Sequence, residues 1–66
     1  MNITHKEKEL LQEALEHENI CIAKYREYAS QLQDPQLKSL FNDLQTKEEN
    51  HAQTISQLLQ QGGYSS

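Results

Sequence analysis

The chain has 66 residues, 10 acidic against 6 basic, a net charge of −4 and a single cysteine. That length allows one small domain, which buries only about 60% of the surface its unfolded chain exposes and so needs a staple. One cysteine excludes an internal disulfide framework and a cysteine-based zinc or iron–sulfur site within one chain, leaving a metal or self-association as the available staples. The scattered lysines and arginines form no stripe for phosphates, so a nucleic-acid partner is not expected. No apolar run approaches the ~20 residues of a membrane span and no signal-peptide h-region is evident, so the expectation is a cytoplasmic protein without a membrane partner.

Thr4-His5-Lys6-Glu7 has the form of a capping box, predicting a helix that begins near His5. From there Leu11, Leu15, Glu18, Ile22, Tyr25, Ala29 and Leu32 recur at alternating steps of four and three, a heptad seam. Leu10, Ala14, Cys21 and Tyr28 widen this stripe, as suits a helix facing two neighbours in a bundle. Asp34-Pro35 then combines a good N-cap with proline at the first helical position, and proline turns the preceding residue away from helical angles. The predicted elements are a helix over about 5–32, a turn at 33–34, a second helix over about 35–60 and a tail at 61–66. So short a connection makes the helices antiparallel neighbours.

The second helix carries Leu37, Phe41, Leu44, Glu48, His51, Ile55 and Leu58 on its seam, flanked by Leu40, Ala52 and Leu59. Gly62-Gly63 offers a left-handed cap to end it. No strand pattern is visible. A lone hairpin leaves half of each wide stripe in water, so the expected fold is all-α: an antiparallel two-helix hairpin that dimerises into a four-helix bundle, with higher oligomers open.

Four seam positions are polar: Glu18, Tyr25, Glu48 and His51. Taken singly, a seam tyrosine or histidine is more often a satisfied core residue than a ligand. The carboxylates change the balance, because buried like charges are costly unless cations lie between them. Glu18 precedes Asp34 by nearly as many residues as Glu48 and His51 follow it, which places all three at one level of a hairpin. A Glu from each of two helices plus a Glu-x-x-His from each of the other two is the ligand set of dinuclear carboxylate proteins. One chain supplies half of that set, so the metal reading requires a homodimer. Oxygen ligands with one nitrogen per metal favour two iron ions per dimer, with manganese or zinc as substitutes. His17 and Glu49 fall off the seam, and Cys21 reads as small apolar filler.

These motifs, Glu18-x6-Tyr25-x2-Tyr28-Ala29-Ser30 and Glu48-x-x-His51, resemble the rubrerythrin-like branch of the ferritin-like superfamily from about Leu11 to Leu59. The resemblance implies a ferritin-like bundle, Glu18 as first-helix ligand, Glu48 as bridging carboxylate and His51 as terminal nitrogen ligand. It implies for Tyr25 a hydrogen bond to a ligand carboxylate, and for the protein Fe(II) oxidation, iron handling or peroxide defence, with an electron donor unidentified. Full rubrerythrins carry both helix pairs and a rubredoxin-like domain, neither of which is present here. The half-length chain is similar to encapsulated ferritins and to ferritin-like proteins of bacterial spore coats. The alternative function is therefore a spore-associated coat or scaffold dimer whose metal is only stabilising or absent.

Overall fold

A computed structural model describes residues 2–61 and, by their backbone path, 63–65. Two helices of 27 residues, α1 (His5–Gln31) and α2 (Pro35–Gln61), pack side by side as a hairpin measuring 50 × 15 × 10 Å. The start of α1 is held by reciprocal bonds. The Glu7 amide donates to Thr4 Oγ1 at 3.1 Å, and the Thr4 amide donates to Glu7 Oε1 at 2.8 Å. At its other end Leu32 leaves the helix with extended angles (φ −85°, ψ 144°). Asp34 Oδ1 then accepts from the amides of Gln36 and Leu37 at 2.8 and 3.0 Å, satisfying donors that the first turn of α2 leaves without helical partners.

At the open end of the hairpin, β1 (Asn2–Thr4) pairs in parallel with β2 (Gly63–Ser65), Ile3 opposite Tyr64. Three residues are too few to show an alternating pattern in the sequence. The pairing arises because the hairpin delivers both ends of the chain to one place. Gly62, half of the anticipated glycine cap, lies outside the described residues, and no glycine among the described ones takes a positive φ.

The interface between the helices follows the heptad seam. Leu11, Leu15, Glu18, Ile22, Tyr25 and Leu32 are half-buried, as are Phe41, Leu44, Glu48, Ala52 and Ile55. Only Ile3 and Ala29 among the described residues are buried. Near the turn, Ala29 lets the helices approach closely. Beside it Phe41 packs against Tyr25 and Tyr28, ring centroids 6.0 and 5.9 Å away, tilted by 49° to the first and at 79° to the second, the edge-on geometry that aromatic quadrupoles prefer.

The expected second layer of the bundle is not part of this hairpin. Of the residues that widen the stripe, Leu10, Tyr28 and Leu40 are exposed while Ala14, Cys21, Ala52 and Leu59 are half-buried, and Leu37, expected on the seam, is exposed as well. Leu10, Tyr28, Leu37 and Leu40 are 43–50% exposed. No described helix is long and apolar enough to cross a membrane.

Candidate metal centre

Glu18 lies thirteen residues from either end of α1, and Glu48 thirteen residues from either end of α2. Antiparallel packing therefore brings both carboxylates to mid-length, one from each side of the seam. His51, one helical turn beyond Glu48, joins them, and a ligand atom from each of the three lies within 4.8 Å of the others. Its Nδ1 is 3.5 Å from Glu48 Oε1 and 3.8 Å from Glu18 Oε2.

The three residues differ in burial. The carboxylate side chains are 22% exposed, whereas that of His51 is 62% exposed. His51 is therefore not the seam residue that the heptad spacing suggests. Three residues advance an α-helix by about 300°, which sets His51 about 60° round from Glu48 and away from α1. Ala52 and Ile55 hold the seam instead. The result is a shallow cup, with two acids at its floor and an imidazole at its rim.

The electrostatics of the cup are unsettled when both acids are charged. Glu18 Oε2 is shut off from solvent and has no hydrogen-bond partner. A proton on Glu18 changes this by allowing a hydrogen bond to Glu48. That bond, together with partial burial and the Glu48 charge, pushes the Glu18 pKa up, against a smaller downward pull from His51 and His17. A divalent cation between the three residues would answer the same need: it would occupy the vacant lone pair of Glu18, offset the carboxylate repulsion and take the Nδ1 of His51. The donor set, two carboxylates and one imidazole, suits a first-row divalent ion. Three ligands from one chain leave most such ions short of a full coordination sphere.

Tyr25, expected to hydrogen-bond a ligand carboxylate, sits two turns along α1 and packs in the aromatic cluster with Tyr28 and Phe41. No hydrogen bond links it to Glu18 or Glu48. Cys21 is a half-buried free thiol. The spacing rules did not identify a groove of about 340 Å³ at the open end of the hairpin, lined by Ile3, Glu7, Leu10, Leu11 and Leu58. Its walls come from β1, α1 and α2, and only the exposed Leu10 hinted at it.

Comparison with known proteins adds one finding. The model of the Coat F domain family matches residues 6–66, the whole hairpin apart from its first five residues. This links the chain to the spore coat and carries no assignment to the ferritin-like superfamily. Neither curated proteins nor solved structures give a match.

Proposed function

Because the chain belongs to the Coat F domain family, we propose that it is a helical building unit of the spore coat, in which Glu18, Glu48 and His51 bind a divalent metal ion. The observation that carries the structural role is the family match along nearly the entire chain. The fold supports it, since a slender hairpin with exposed leucines is suited to packing against other protein. In this reading the metal ties α1 to α2 at mid-length, where the seam otherwise holds two acids in contact.

The test is fractionation of spores carrying an epitope-tagged copy. Recovery in the coat extract, with a changed coat-protein profile on deletion, is the expected result. Recovery only in the soluble fraction of the mother cell overturns the coat role. The metal is tested separately, by elemental analysis of the purified protein and by its melting with and without chelator. Unchanged metal content and melting in Glu48→Ala and His51→Ala would remove the metal from the reading.

A second reading is favoured by the mid-helix trio itself. Completed by a second copy, the site would hold four carboxylates and two imidazoles, the ligand set of a dinuclear centre. Two iron ions so held would supply a path for electrons from Fe(II) to oxygen or peroxide. The role of the chain's own residues is to bind and orient: Glu18 and Glu48 contribute oxygens, and His51 a nitrogen from the rim. Aerobic Fe(II) oxidation faster than in buffer, and lost in Glu18→Ala, supports this reading. An unchanged rate leaves the metal a structural tie.

A further inference from the structure

We infer that the chain pairs with a second copy of itself lying antiparallel on its apolar face, about a two-fold axis that passes the helices at mid-length. The inference deepens the proposed metal reading by naming the partner that completes the cup, and it rests on that reading for the use of the joined site alone.

The surface area calls for a partner. A compact monomer of this mass exposes about 4,300 Å² by the scaling of surface with mass, whereas this chain exposes 4999 Å². The excess, roughly 700 Å², is close to the ~800 Å² that each partner contributes to a stable interface.

Exposed apolar side chains gather on one side, with Ile20 on the back of α1 as an exception. At about 100° per residue, Leu10, Ala14, Cys21 and Tyr28 fall on one flank of α1, and Leu40, His51 and Leu58 on one flank of α2. Antiparallel packing turns these flanks to the same side of the hairpin, as the shared groove between Leu10 and Leu58 confirms. The opposite side carries Gln12, Asn19, Arg26 and Ser30 from α1 and Asn42, Glu49, Gln53 and Gln60 from α2. One side is built for protein and the other for water, and the cup opens toward the first.

Two arrangements place two such faces together, and they make different demands. With the copies parallel, the two cups meet wherever along the helices they lie. With the copies antiparallel, they meet only if they lie at mid-length, and Glu18 and Glu48 are each thirteen residues from both ends of their helices.

The relief of the face points the same way. Leu10 and Leu58 stand about 12 and 15 Å from the midpoint toward the open end, whereas Leu40 and Tyr28 stand about 12 and 15 Å from it toward the turn. Antiparallel pairing lays α1 over α1 and α2 over α2. The exposed Tyr28 and Leu40 of each copy then meet the groove of the other, Tyr28 reaching Leu10 and Leu40 reaching Leu58. Parallel pairing sets groove against groove and leaves the cavities unfilled.

Disulfide trapping in a Cys21→Ser background, with chelator present, tests the arrangement. The double variants Leu40→Cys/Leu58→Cys and Leu10→Cys/Tyr28→Cys should each form covalent dimers at least tenfold faster than a co-refolded mixture of Leu10→Cys and Leu58→Cys single variants. The reverse order would establish the parallel pair and overturn the proposal. Sedimentation of the unaltered chain gives a second measurement that does not depend on the variants folding, and a monomer at tens of micromolar also overturns it. Metal-induced stabilisation that persists in such a monomer would leave the metal reading standing without the dimer.

Discussion

The turn end and the middle of this hairpin use the same heptad positions for opposite purposes. At the turn, Phe41 is enclosed by Tyr25 and Tyr28, Ala29 is buried and Asp34 satisfies two amides. In the middle, the same seam presents Glu18 to Glu48 and leaves Glu18 Oε2 without a partner. These groups at the turn are served by what the chain itself provides. The middle needs something added, either a proton or a cation. The comparison separates where the hairpin gets its stability from where it holds its chemistry in reserve.

Removing the turn cluster should therefore have the largest effect. Phe41→Ala deletes the ring that both tyrosines contact, and large-to-small aromatic changes in cores cost about 3–5 kcal/mol. Because Phe41 is only half-buried, a loss of about 2 kcal/mol in chemical denaturation is expected, still a large share of a small domain's stability. A loss smaller than that from Leu15→Ala would show that the turn has no special place in the fold.

A metal should have the next largest effect, and in the opposite direction. At a tenfold excess over its dissociation constant, Mn(II) or Zn(II) should stabilise the fold by about 1.4 kcal/mol. His51→Ala should abolish that increment while leaving the chelated protein nearly unchanged, since His51 is exposed and contributes little packing. Thermal melts of both proteins, with and without metal, provide the measurement. If His51→Ala melts lower in chelator as well, the rim histidine is structural and the contrast between the two regions weakens.

How far the sequence could foresee these regions depends on the range of each interaction. The Thr4–Glu7 box, the Asp34 cap and the half-buried seam were legible because caps and heptads are local rules acting within one or two turns. The meeting of Glu18 with Glu48 and His51 was legible because a tight turn makes residue counts equivalent to heights. Angular detail was not. A heptad seam treats Glu48 and His51 as equals, whereas a helix of 3.6 residues per turn separates them by about 60°. The groove was also invisible, because Ile3 and Leu58 lie at opposite ends of the chain and meet only once the hairpin closes.

The caps offer a finer test of the turn end. Asp34→Ala leaves two amides to water and should cost about 1 kcal/mol. Thr4→Ala breaks the reciprocal box at the open end and should cost the same or somewhat less, because helix ends fray and local opening there is already cheap. Denaturant midpoints of the two variants order them. A larger loss from Thr4→Ala would move the anchor of the fold from the turn to the open end.

The smallest effect, and the most specific to the middle, is the pH dependence of the metal-free protein. Glu18 titrates above its ordinary value of 4.5 in the folded chain, chiefly because its protonated form hydrogen-bonds Glu48. Between 4.5 and that raised value the folded state holds more protons on Glu18 than the unfolded one, so the contribution of Glu18 to stability declines with rising pH in this window. The contribution of Glu18 is complete below 4.5 and is lost as the pH climbs through the raised pKa. Glu18→Gln should flatten the decline, because an amide can donate to Glu48 at any pH. The informative quantity is the difference between the two proteins, which removes contributions remote from Glu18, such as that of the capping Glu7. Adding metal should reverse the sign for the unaltered chain, because a cation binds the ionised carboxylates and its hold strengthens as they lose protons. A pH profile that is the same with and without metal would mean that the two acids are an ordinary surface pair, and the distinction between the middle and the turn would then be one of composition alone.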